Sequence, residues 1–138
     1  MKQPPREKLV LRGPMLLPYG GGEIFGCELD SLYGYSELAH GKFCGDIAAF
    51  ARPSVTALLA VNLLQTEVDG PLADCIASTL AGLSKPGLRV AFIADRRGKK
   101  RLREALERAK AGFAHGFFSG YEPAKEWLIP RGKPRTAE

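Results

Sequence analysis

Between Gly87 and Gly112 the chain passes from an uninterrupted apolar run to a basic turn and then to an amphipathic repeat, an order that few architectures accommodate. Val90 to Ala94 carries no polar residue and follows Pro86-Gly87, the pattern of a strand covered on both faces, as in a parallel sheet. Leu102, Ala105, Leu106 and Ala109 then recur at helical spacing on one stripe, with Gly112 placed to end the helix. A buried strand, the turn Asp95-Arg96-Arg97-Gly98 and an amphipathic helix form one unit of an α/β fold.

The remaining elements follow from the same reasoning. Lys8 to Leu17 and Glu23 to Asp30 read as two strands of a hairpin joined through Pro18 and a run of three glycines, Gly20 to Gly22, which is long for a tight two-residue turn. In the second strand Phe25, Cys27 and Leu29 alternate with Gly26, Glu28 and Asp30, one apolar face and one polar. Ala39, Phe43, Ile47 and Phe50 place a helix over Ser36 to Arg52, with Ser36 as its cap and a break expected near Gly45, where Asp46 would start a second half. Val55 to Leu64 is a second long apolar run suited to an interior strand beside Val90 to Ala94.

Asp69 and Pro71 then open a helix whose apolar face is Leu72, Cys75, Ile76, Leu80 and Leu83. Phe113 to Phe118 is a short strand. Glu122-Pro123 starts a last helix with Ala124, Trp127 and Leu128 inward. The order is β-β-α-β-α-β-α-β-α: one mixed, mainly parallel five-stranded sheet with about four helices and right-handed crossovers. Residues 1–7 are expected to be a flexible N-terminus, 8–129 the single domain, and 130–138 a flexible basic tail.

Charge is distributed unevenly. Residues 1–84 hold 6 basic and 9 acidic side chains, a net of −3, whereas 85–138 hold 14 basic and 6 acidic, a net of +8. Such an asymmetry suits an anionic partner of some kind. No apolar run approaches the roughly 20 residues of a membrane span, and the opening residues lack the apolar core of a signal peptide. The three cysteines, Cys27, Cys44 and Cys75, lie far apart in sequence, without zinc-site or redox-dithiol spacing, and read as buried thiols of a reducing cytosol. His40 and His115 each lack a second ligand-type residue at ligand spacing, so neither a metal site, nor a cofactor, nor a catalytic set is expected.

The element order, with Leu88 to Asp95 and the later Phe117-Phe118 followed by Glu122-Pro123-Ala124-Lys125-Glu126-Trp127-Leu128, resembles the STAS-type domains, in particular their SpoIIAA-like (STAS/SEC14-like) branch. That resemblance spans roughly residues 8–129 and implies a non-enzymatic, cytoplasmic regulatory domain that works through a protein partner or a small anionic or lipid-like ligand; it is compatible with a homodimer. In the anti-sigma-factor antagonists of the family it implies a phosphorylated Ser at the start of the helix after the third strand. The matching segment here is Thr66 to Pro71, where Thr66, Asp69 and Gly70 are the interface or switch candidates; Gly70-Pro71 stands where Ser-Ser-Gly would follow, so the switch itself does not carry over.

Asp95, Arg96, Arg97, Gly98, Lys99, Lys100 and Arg101 form the anion-binding candidate. They follow the C-terminal end of an interior strand and open a helix, where ligands of open α/β sheets bind and where Arg96 or Arg97 could grip a phosphate or carboxylate in two hydrogen bonds. No nucleotide fingerprint accompanies them, and a solvated basic face is the plain alternative. A Rossmann-like enzyme or ligand-binding domain holding a phosphate-bearing small molecule at the Asp95–Arg101 turn is the rival to the regulatory reading. Nucleic acid ranks below both, because Phe117 and Trp127 read as core rather than as stacking platforms.

Overall fold

In the computed structural model, which describes residues 4–130, one five-stranded sheet runs in the order β1-β2-β3-β4-β5. The strands are β1 (Met15–Tyr19), β2 (Gly22–Glu28), β3 (Leu58–Asn62), β4 (Arg89–Ile93) and β5 (Ala114–Phe118), and the helices are α1 (Ser36–Phe50), α2 (Gly70–Ala81), α3 (Arg96–Arg108) and α4 (Tyr121–Leu128). Only the β1–β2 pair is antiparallel; every later pairing is parallel. The expected mixed, mainly parallel α/β sheet with four helices is therefore the fold, and β3 and β4 lie side by side in its interior.

Each parallel step advances one strand in the same direction, so crossovers of one hand place α1, α2 and α3 on one face of the sheet. Phe25, Cys27, Leu59, Val61, Val90 and Phe92 meet those helices in the main core. The alternate residues Ile24, Ala60, Ala91 and Ile93 face the other way and are covered by Ala124 and Leu128 of α4. Trp127, expected inward, is only half-buried: its ring lies against Phe118 and under the Arg89 guanidinium, 4.1 Å from the ring centre.

Several local expectations give way to tertiary effects. The hairpin closes through two residues after all: Gly20 and Gly21 have φ of +57° and +85°, the left-handed pair that a tight hairpin turn demands, and Gly22 already pairs with Tyr19. The strand expected from Lys8 begins only at Met15. Before it, Arg6–Lys8 forms a short 3-10 turn, Tyr35 Oη donates to Pro4 O at 3.0 Å, and Val10 and Leu11 stay exposed. The tail's residues 131–138 lie outside the described residues.

Helix α1 runs unbroken through Gly41 and Gly45. Both glycines face solvent, while Ala39, Phe43, Ile47 and Phe50 are buried, and that burial outweighs a propensity cost of about 1 kcal/mol per glycine. Ser36 is the first helical residue, not the cap; Tyr35 occupies that position without a side-chain bond. Asp46 is buried mid-helix, accepting from Lys42 Nζ and from Cys27 Sγ. At the end of α3 it is Lys110, not Gly112, that takes the left-handed conformation (φ +56°), as Ala111 N donates to Leu106 O at 3.1 Å.

Candidate anion-binding cleft

Loops 29–35, 63–69 and 94–95 all leave the sheet at the C-terminal edge of β2, β3 and β4. The first two run side by side beyond the strands. Ser31 N donates to Leu64 O, Tyr33 N to Gln65 O and Glu67 N to Tyr33 O, at 2.7–2.9 Å. Ser31, Tyr33 and Gln65 take positive φ of 52–59°, which bends the two loops into a rim. Opposite that rim stands the N-terminus of α3. Between them lies an open cleft of about 320 Å³, lined by Tyr33, Gly34 and residues 65–68 on one side and by Asp95, Arg97 and Gly98 on the other. Its size is at the small end for a ligand site.

The first turn of α3 owes its position to Asp95 and Gly98. Asp95 Oδ1 accepts from Gly98 N at 2.7 Å, capping the helix. Gly98 is buried, and a Cβ there would stand 3.2 Å from Ala94 Cβ and 3.3 Å from Val68 Cγ2, so a larger residue would make the helix start or the β3–α2 loop give by a few tenths of an ångström. Arg101 Nη1 donates to Val68 O at 3.0 Å and Lys99 Nζ to Ser119 Oγ at 2.6 Å. These two cations thus tie α3 to neighbouring loops.

Arg96, Arg97 and Lys100 are exposed and have no hydrogen-bond or ion-pair partner among the described residues. Arg97 lies on the wall of the cleft and also borders a second, larger hollow of about 750 Å³ along α3, shared with Arg96, Lys100, Arg101, Arg103 and Glu104. The anion candidates therefore divide. Asp95 and Gly98 build the turn, Lys99 and Arg101 anchor it, and Arg96, Arg97 and Lys100 are left for an external charge.

The switch candidates divide as well. Thr66 lines the cleft, but its buried hydroxyl donates to Leu29 O at 2.6 Å and accepts from Leu32 N at 2.9 Å, so it holds the rim together and is no accessible phosphate acceptor. Asp69 caps α2 by accepting from Leu72 N at 2.9 Å. Gly70 opens α2 with free space around its Cα, and neither it nor Asp69 lines the cleft. His115 Nδ1 is 3.1 Å from Phe113 O.

Two groupings escape sequence reasoning. On the α4 face, Glu28 is buried, with Oε1 accepting from Asn62 Nδ2 at 3.0 Å and Oε2 from Tyr121 Oη at 2.6 Å. Arg12 Nη2 stands 3.9 Å from Glu28 and makes a two-pronged contact with Asp30. Burial, reinforced by Glu28, raises the Tyr121 phenol well above its ordinary value. The face read as polar is thus an interior network, and the only hint was three polar or small residues in alternation.

On the other face, the expectation of scattered buried cysteines fails for two of three. Cys27 is buried, its thiol pushed well up by desolvation, but Cys44 is exposed and Cys75 half-exposed. His40 and Cys44 share one side of α1, and α2 brings Cys75 against them, with Sγ 3.1 Å from His40 Nε2. The expectation that His40 lacks a partner at ligand spacing is corrected here: Cys44 at i+4 is a helical ligand pair that the sequence does carry, whereas the arrival of Cys75 is not readable from it.

The fold and cleft define a single-sheet α/β domain with an opening at the small end of ligand size at the C-terminal edge of its strands and the Arg97 guanidinium on one wall. Comparisons with family models, curated proteins and solved structures give no match. No helix among the described residues is long and apolar enough to cross a membrane.

Proposed function

We propose that this chain is a non-enzymatic binding domain of regulatory type that takes a small phosphate- or carboxylate-bearing ligand in the cleft between the β3–α2 loop and the start of α3. The observation that carries this reading is Arg97: a guanidinium without a partner among the described residues, on the wall common to the cleft and to the basic hollow along α3. A planar fork of N–H donors suits a phosphate or carboxylate held by two hydrogen bonds. Asp95 keeps its negative charge while its Oδ1 caps Gly98 N–H, so an anion would be met by Arg97 and by the cations of the adjoining hollow, on the side away from that carboxylate. Exposed Glu67 on the opposite side is an acceptor for hydroxyl groups, which favours a ligand with an anionic end and a hydroxyl-bearing body, such as a sugar phosphate or a nucleotide.

The resemblance to STAS-type domains supports the regulatory side of the proposal, and a cytoplasmic setting belongs to the same reading. Binding of the ligand would be signalled through the rim loops, which line the cleft and are bent into the left-handed region at Tyr33 and Gln65.

Thermal unfolding of the purified chain against inorganic phosphate, sugar phosphates and nucleotides tests the proposal. A true ligand at 100 times its Kd stabilises by about 2.7 kcal/mol, and Arg97→Ala removes that gain. Equal stabilisation of the wild type and Arg97→Ala by every compound, or none by any, refutes it.

A further inference from the structure

His40, Cys44 and Cys75 stand apart from the cleft residues and play no part in it. His40 and Cys44 are one helical turn apart on α1, and both are exposed. Cys75 reaches them from α2. Their donor atoms, His40 Nε2 and the two Sγ, all lie within 4.8 Å of one another, and the His40–Cys75 pair is at 3.1 Å. Around a tetrahedral ion with bonds of about 2.0–2.3 Å, donors of this kind stand about 3.5–3.8 Å apart. One pair is closer than that range and none is farther than 4.8 Å, so small side-chain rotations would bring all three onto one ion.

The supports are rigid. Ala39 and Phe43, which flank the pair on α1, are fully buried, as is Ile76 beside Cys75. The three donors therefore project from two helices whose relative position is set by the core, not by a loop.

We propose that His40, Cys44 and Cys75 bind a borderline-soft divalent cation, zinc, bridging α1 and α2 at the surface. Two thiolates and an imidazole select zinc over magnesium or calcium, which take oxygen ligands. On binding, both thiols release their protons to solvent. The two thiolates then balance the dication, and the helix pair gains no net charge. Because the site is open to solvent, the fourth position is left to water or to an added ligand. A disulfide between Cys44 and Cys75 would use the same sulfurs but would leave His40 unexplained.

The test uses the full chain, reduced with a phosphine and stripped of metal. Cobalt(II) titration is expected to give one ion per chain, with the thiolate-to-cobalt charge-transfer absorption and intense visible bands of a tetrahedral sulfur-ligated ion; one equivalent of Zn²⁺ then displaces it. Cys44→Ser, Cys75→Ser and His40→Ala should each weaken Zn²⁺ binding by about tenfold or more, whereas Cys27→Ala leaves it unchanged. Should a variant misfold, Zn²⁺ protection of Cys44 and Cys75 from alkylation in the unaltered chain, read residue by residue by mass spectrometry, serves in its place. Absence of the charge-transfer band, its survival in both Cys→Ser variants, or equal alkylation with and without Zn²⁺ overturns the proposal.

Discussion

Two charged regions of this domain are built on opposite terms. Around Glu28 every polar group is answered: Asn62 and Tyr121 donate to the carboxylate, Arg12 stands nearby, and Arg12 in turn is forked onto Asp30. At the start of α3 the cations outnumber their partners. Lys99 and Arg101 are engaged, while Arg96, Arg97 and Lys100 face solvent unpaired among the described residues. The first region lies beneath α4, where an unsatisfied charge would cost several kcal/mol; the second is at an open edge, where water screens it at little cost. Completeness marks a group that serves folding, and incompleteness on a cleft wall marks one available to a ligand.

The contrast breaks most visibly at Glu28. Glu28→Ala removes the acceptor of two buried donors and should cost about 3 kcal/mol of unfolding free energy, measured by denaturant titration. A loss below about 0.5 kcal/mol would mean that water enters beneath α4 and that the two regions differ less than their geometry says.

A smaller effect is expected from Tyr121→Phe, about 1.5–3 kcal/mol, since the bond lost is one to a charged acceptor. This variant also sharpens the comparison through pH. Folding raises the phenol above its ordinary value of 10.0, so the folded state holds the proton more tightly than the unfolded one. Its contribution is then complete below pH 10.0 and is lost as pH climbs above that value. Stability of the wild type should fall above pH 10.0 with a slope that Tyr121→Phe reduces; identical slopes would show that the phenol ionises as freely when folded as when unfolded.

Smallest in stability is Arg97→Ala, expected to change the unfolding free energy by less than about 0.5 kcal/mol while abolishing ligand-induced stabilisation. A large loss of stability would move Arg97 into the class of Lys99 and Arg101, cations that hold the helix in place.

Much of this was legible before any coordinates. The apolar runs at Val55–Leu64 and Val90–Ala94, punctuated by Pro and Gly, announce interior strands because only a covered strand tolerates so many consecutive apolar residues. Asp69 and Asp95 are recognisable as helix caps because their short carboxylates reach the free N–H groups of the turn that follows. The basic turn at the strand's C-terminal end likewise marked the cleft.

What the linear chain concealed depends on partners distant in sequence. Glu28 and Tyr121 meet across 93 residues, and Cys75 meets His40 across 35. Gly41 and Gly45 weaken a helix in isolation, yet α1 persists because one face is buried against the sheet. Local propensity and periodicity are properties of neighbouring residues and so are written in the sequence. Which side chains become buried together, and which cations are left without a partner, is decided only when the crossovers stack α1, α2 and α3 on one face and leave α4 to close the other.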